Sequence, residues 1–167
     1  MVVRRRLYED VMDYQTVDSF SGVYSDWADD LIRFASATVG PADAPDVVSN
    51  ALVRLMEAGT LDGVVNKRAF LYKAVMWEAK SWKRSSWRRR RRDHAVARTE
   101  AELMPEVAPE VLAAVRLLST QQRAATYLTY WEDMSPSEIG ATLGIGEGTV
   151  KKHLARARTR LRSVLDA

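Results

Sequence analysis

Residues 135–165 read SPSEIGATLGIGEGTVKKHLARARTRLRSVL, and the fold is decided here. Ser135 stands where a helix N-cap is wanted, and Pro136 takes the first helical position, where its missing N–H costs nothing. Glu138 follows at N3, within reach of the cap backbone, so the pattern is a capping box. Gly144 closes the short helix, because a left-handed residue at a helix C-terminus is cheapest as glycine. Three residues on, a longer helix begins near Glu147. Its apolar stripe, Val150, Leu154, Ala157 and Leu161, is expected to pack on Ile139 and Leu143. The opposite face presents Thr149, Lys152, His153, Arg156 and Arg160. A capped helix, a glycine-containing turn and a basic second helix make a helix-turn-helix, whose second helix enters the major groove of DNA. Thr149, Lys152 and Arg156 are then placed to read base edges, while Lys151, Arg158, Arg160 and Arg162 suit phosphates. A solvated bundle face could carry the same charges, but capping, turn and one-sided charge coincide in this stretch. His153 is read as a polar surface residue.

Upstream, Ser119-Thr-Gln-Gln122 forms a second capping box, preceded by helical periodicity over Pro109–Leu118. From Asp93 to Pro109 the pattern dissolves into DHAVARTEAELMPEVAP, which is expected to be an acidic linker; His94 belongs to it and has no partner at metal-ligand spacing. The N-terminal half begins with FSGVYSDWADDLIRFASATV, residues 20–39, whose apolar groups step by three and four and stop at Gly40–Pro41. DAPDVVSNALVRLMEAG follows, with Val47, Val48, Ala51, Leu52, Leu55 and Met56 on one face and Gly59 as the stop. After a loop over Gly59–Asn66, a third helix is expected over about Lys67–Arg84, running into KSWKRSSWRRRRRDH. No segment alternates with period two, so the fold class is all-α, with two small helical domains joined by a flexible linker. The expected boundaries are 1–16 for an N-terminal extension, 17–92 for the first domain, 93–108 for the linker and 109–167 for the second.

Charge is distributed to match. The net charge is +3, but Lys80–Arg98 holds nine basic residues against one acid, and Lys151–Arg162 holds six against none. The rest of the chain is acidic, so a polyanion is directed to two places and repelled elsewhere. Trp77, Trp82 and Trp87 lie five residues apart on the first basic segment. On a continuous helix, each step turns about 140° net, so they point in separated directions and at least one should be exposed. An exposed tryptophan among cations can stack an unpaired base, worth about 1–3 kcal/mol. The run Arg88–Arg92 favours phosphate.

With 167 residues and 47% apolar content the chain is a folded protein, and it has no cysteine for disulfides, thiolate metal sites or thiol catalysis. MVVRRRLYEDVMDYQ has no apolar run after its charges, so no signal peptide is read, and no segment nears the length needed to span a bilayer. A cytoplasmic protein is expected. There is no phosphate loop, no paired carboxylates in an apolar setting and no nucleophile–histidine pair, so no catalytic residue, metal, cofactor or small-molecule substrate is expected.

The stretch LLSTQQRAATYLTYWEDMSPSEIGATLGIGEGTVKKHLARARTRLR resembles region 4 of the extracytoplasmic-function group of bacterial RNA polymerase sigma factors, in its "QR" after a helix break and its "GTVK..L.RAR..L" core. Phe20–Val39, DAPDVVSNALVRLM and FLYKAVMWEAKSWKR resemble region 2 of the same family. The resemblance covers about residues 17–165. It implies a non-enzymatic subunit that binds core polymerase, through its beta and beta-prime subunits, and directs it to promoters. Region 4 would read the duplex −35 element through Thr149, Lys151, Lys152, His153, Arg156, Arg158 and Arg160. Region 2 would read the −10 element as it melts, through Asn66, Lys67, Trp77, Lys80, Ser81, Lys83, Arg84, Trp87, Arg88, Arg89 and Arg91, with the Gly59–Asn66 loop as a wall for a flipped base. Core polymerase would meet Asp46, Val47, Ser49, Asn50 and Arg54. An anti-sigma factor is a further partner of this kind of protein, and association with the nucleoid follows binding to polymerase. Ser49 and Asn50 replace a glutamine and a carboxylate usual on the family's core-binding helix, and Trp77 and Ser81 replace an asparagine and an aspartate near the −10 reading surface, from which an atypical −10 preference is expected. Two other readings stand beside this one. TVKKHL also fits a stand-alone LuxR-like regulator that would dimerise on duplex half-sites, although no sensory domain is recognisable. An adaptor that binds polymerase but not DNA is opposed by the basic recognition face.

Overall fold

Seven helices run through residues 14–59, 64–90 and 109–165, which the computed structural model describes, and there is no strand among these residues. They are α1 (Tyr14–Val39), α2 (Ala44–Glu57), α3 (Lys67–Arg90), α4 (Pro109–Arg116), α5 (Thr120–Tyr130), α6 (Pro136–Leu143) and α7 (Glu147–Leu165). The expected linker over 93–108 lies outside the described residues, as does most of the expected N-terminal extension.

Each helix end has a local cause. The Gly40 N–H donates to the Ser36 carbonyl at 3.0 Å, and Gly59 donates to Met56 at 3.1 Å, closing α1 and α2. Asn66 caps α3, its Oδ1 accepting from the Ala69 N–H at 2.9 Å. The capping box expected at Ser119 forms, with Gln122 reaching back to the cap N–H at 2.9 Å. Two helices exceed their expected lengths: α1 begins six residues ahead of its apolar stripe, and α3 continues to Arg90 instead of Arg84. Residues 85–90 read SSWRRR, which contains no glycine or proline to stop a helix whose apolar stripe has run out.

The N-terminal half packs Leu31, Phe34 and Ala35 of α1 against Val47, Val48 and Ala51 of α2 and Leu71, Tyr72, Val75 and Met76 of α3, all buried. In the C-terminal half, Ala124 and Leu128 of α5, Ile139 and Leu143 of α6, and Val150 and Leu154 of α7 are buried in the same way. The two halves share one apolar core, with α1 laid against α5 and α3 against α6. The sequence suggested modules held by a linker alone. Amphipathic stripes show that a face is buried, not which element covers it. At the seam, the Phe34 ring meets Tyr72 and Tyr127 edge-on, with centroids 4.9 and 5.6 Å away.

A polar group seals this seam. The Tyr72 hydroxyl donates to Glu132 Oε1 at 2.9 Å, and Arg68 pairs with the other carboxylate oxygen of Glu132 and with Asp30 at 3.2 Å. The Glu132 side chain is buried, so its charge needs these partners. Burial, followed by the neighbouring Glu132 carboxylate, pushes the Tyr72 hydroxyl well above its ordinary range.

Candidate nucleic-acid interface

The helix-turn-helix is shaped by local contacts at both ends of α6. Glu138 N–H donates to Ser135 Oγ at 3.3 Å, while the Ser135 N–H and hydroxyl both donate to Glu138 Oε2, at 2.8 and 2.7 Å. These bonds hold the Glu138 carboxyl below its usual value. Gly144 adopts φ 67°, a left-handed conformation in which a side chain is strained, and its N–H bonds the Gly140 carbonyl. Gly140 is needed for a different reason, which the sequence reading missed: a Cβ there would lie 2.8 Å from the Ile145 carbonyl oxygen. So α6 and the turn leading into α7 meet backbone to backbone.

That close approach fixes the roll of α7. Val150, Leu154 and Ala157 turn inward and are buried, as expected, and Leu161 is half-buried. Thr149, Lys151, Lys152, Arg156, Arg158, Arg160 and Arg162 are exposed on the outer side. Lys151 pairs with Glu147 at 2.6 Å, one turn earlier. His153 departs from the rest. It is half-buried, and burial, then Arg156 and Lys80, hold its imidazole below the ordinary histidine value. Lys80 is on α3, so His153 lies within reach of a charge on the other half of the molecule.

The second surface lies on α2 and α3. Asp46, Ser49 and Asn50 are exposed on one face of α2, but Val47 is fully buried, which corrects its assignment to a contact surface. Ala44, Val47, Val48 and Ala51 recur at helical spacing on the inward face. Val53, exposed to 50%, completes the outward row 46, 49, 50, 53 in its place. The same spacing rule could have found it.

Trp77 is also exposed, to 52%, and Trp82 is half-buried against the core; the Trp87 side chain lies outside the described residues. Arg54 reaches from α2 across to α3, its guanidinium 4.8 Å over the Trp77 ring and its Nε 3.2 Å from Glu78 Oε2. Between the two helices is a groove of about 610 Å³ lined by Ala51, Arg54, Leu55, Glu57, Ala58, Phe70, Lys73, Ala74 and Trp77. Of the other residues expected on this surface, Asn66 is exposed and serves as the α3 cap, while Lys67, Lys80 and Ser81 are half-buried. Lys83, Arg84, Arg88 and Arg89 lie on the α3 backbone with side chains outside the description, and Arg91 lies beyond it. Among the described residues, no cluster of metal-ligating side chains occurs and no helix is long and apolar enough to cross a membrane.

Residues 109–161 match the family model for sigma-70, region 4. The RNA polymerase sigma-E factor of Streptomyces avermitilis is 32% identical over 151 residues, covering 83% of this chain and 80% of that protein. The factor of the same name from Streptomyces coelicolor is 32% identical over 151 residues, with 83% and 81% covered. Among solved structures, the sigma factor RpoE in complex with the anti-sigma factor NepR from Bartonella quintana matches with a TM-score of 0.69 at 23% identity, over 89% of this chain and 98% of that one. CnrH in complex with the cytosolic domain of CnrY matches with a TM-score of 0.61 at 25% identity, over 89% and 88%.

Proposed function

The chain belongs to the extracytoplasmic-function group of sigma-70 family RNA polymerase sigma factors, and from that membership we propose a division of labour between its surfaces. As a sigma factor it acts in promoter-directed transcription, with RNA polymerase and promoter DNA as its partners. The outer face of α7 reads the duplex −35 element: Thr149, Lys152 and Arg156 at base edges, and Lys151, Arg158 and Arg160 on phosphates. The observation that carries this is a row of exposed cations backed by a buried stripe on a helix whose roll is fixed by the Gly140 contact. His153 supports the orientation of the helix and makes no contact of its own with bases.

The basic length of α3 with the α2–α3 groove takes the −10 element as its strands part, Trp77 supplying a stacking surface and Lys73 and Lys80 attracting phosphates. The outward row Asp46, Ser49, Asn50 and Val53 of α2 meets the beta or beta-prime subunit of core polymerase. The domains are the first three helices and the last four, with the linker over 93–108. Nucleotide joining belongs to the polymerase, and no side chain here is assigned a chemical step. The protein works in the cytoplasm, on the nucleoid when bound to polymerase. An anti-sigma factor is a further partner, supported by the solved relative RpoE, which carries one.

Reconstitution tests this reading. The purified protein is mixed with sigma-free core polymerase and genomic DNA fragments, and the 5′ ends of the RNA are mapped. Discrete, protein-dependent start sites with a shared pair of upstream motifs are expected. Lys152→Ala and Arg156→Ala should each weaken use of those sites by about 1–3 kcal/mol of discrimination at one −35 position. If no start sites appear while the protein alone shifts duplex DNA, the stand-alone regulator replaces the proposal.

A further inference from the structure

We infer that Arg54 is a positioning residue: held by the buried Glu78 carboxylate, it covers one face of Trp77 so that the indole stacks an unpaired promoter base in the α2–α3 groove whatever that base is. The inference rests on the −10 reading above and deepens it. Glu78 is 5% exposed, and a carboxylate at such depth needs a cation. Arg54, from the neighbouring helix, supplies it at 3.2 Å. This ion pair, which lacks hydrogen-bond geometry at Oε2, draws the guanidinium toward Trp77, and its planar, weakly hydrated group is suited to stacking on an indole, as it does at 4.8 Å. An exposed tryptophan on a solvated helix would otherwise sample several rotamers. Ordering it before DNA arrives removes that entropy cost from base capture.

The groove fits one occupant by its chemistry. Phe70 and Trp77 stand two turns apart on α3, Lys73 lies between them, and Ala51, Leu55 and Ala74 supply apolar walls. Arg54 and Lys73 outweigh Glu57 on the lining, so the flanking phosphates are attracted while the base meets the apolar walls. Beyond Glu78, α3 carries lysine and arginine and no acid as far as Arg90, which directs a polyanion along the helix. Aromatic stacking accepts all four bases because each has a π face. The promoter position that reaches Trp77 is therefore read as unpaired, not as a particular letter.

The test uses the protein bound to core polymerase and a DNA duplex with a six-nucleotide unpaired bubble, carrying 2-aminopurine at each bubble position in turn. Stacking on an indole quenches this fluorophore. One strongly quenched position is expected with the wild-type protein, and Trp77→Leu should abolish the quenching. The pair Arg54→Met with Glu78→Gln removes both charges without leaving a buried unpaired charge, and should cut bubble affinity about fivefold, the lower end of one stacking contact, with weaker quenching. Arg54→Lys should recover part of it, since an ammonium also sits over an indole. Substituting A, C, G and T at the quenched position should change affinity by less than about threefold. Full quenching in the Arg54→Met, Glu78→Gln protein overturns the positioning role. A preference above about tenfold for one base overturns the base-tolerant reading. If start sites form in the reconstitution but no bubble position is quenched, a base in this groove is overturned and the sigma function stands.

Discussion

Gly140 meets the Ile145 carbonyl so closely that an added methyl would lie 2.8 Å from it, and the next nearest atom is backbone as well, Glu147 N at 3.4 Å. Nothing flexible can yield there. Gly140→Ala should therefore lower stability by about 1–3 kcal/mol, the ordinary range for overpacking, seen as a lower urea midpoint with an unchanged slope. His153 responds to pH in place of volume. Burial, then Arg156 on its own helix and Lys80 on α3, lower its folded pKa below the ordinary 6.5. Below about pH 6.5 the unfolded chain takes up a proton that the folded protein resists. The stability linked to His153 is thus fully present above that pH and falls as the solution is acidified toward the folded value. Urea midpoints at pH 7.5 and 5.5 should differ more for the wild type than for His153→Gln.

At the scale of elements, much was legible because the signals are local. Both capping boxes, the Gly144 stop and the stripe Val150, Leu154, Ala157 depend on residues within a few positions of each other. Ser135→Ala should remove about 1 kcal/mol, a typical N-cap loss, measured by thermal melting, and should fray the start of α6. Val47 illustrates a conflict between two kinds of reading. Spacing placed it on the buried stripe of α2, resemblance placed it on the contact surface, and the fold follows the spacing. The end of α3 was read short because a change in amphipathicity was taken for a change in backbone. Contacts between helices adjacent in sequence, as α7 on α6, were legible, but contacts between distant elements were not. Tyr72 and Glu132 are sixty positions apart, and no periodicity connects them. The Arg54–Trp77–Glu78 group was also missed, since its members lie on different helices.

For the whole molecule, the shared core has a geometric consequence. The −35 and −10 elements lie about 25 base pairs apart by their names, or about 85 Å along a duplex at about 3.4 Å per base pair. A compact chain of this length has a radius of gyration of about 15 Å, hence roughly 40 Å across. Reading both elements at once therefore takes separated halves, and the seam through Phe34, Tyr127, Tyr72 and Glu132 is what must part. Glu132→Ala leaves Arg68 with Asp30 and frees the Tyr72 hydroxyl. It should raise the radius of gyration in small-angle scattering by populating the separated form; an unchanged radius would show that apolar contact alone holds the seam. Parting also has an order in time. Phe34 and its neighbours would meet water if the halves opened unaided, so under the proposed function the shut form is expected at rest and opening is expected on polymerase. Loading then becomes two steps, a bimolecular encounter followed by a first-order unclasping, and at high polymerase concentration the second step sets the pace.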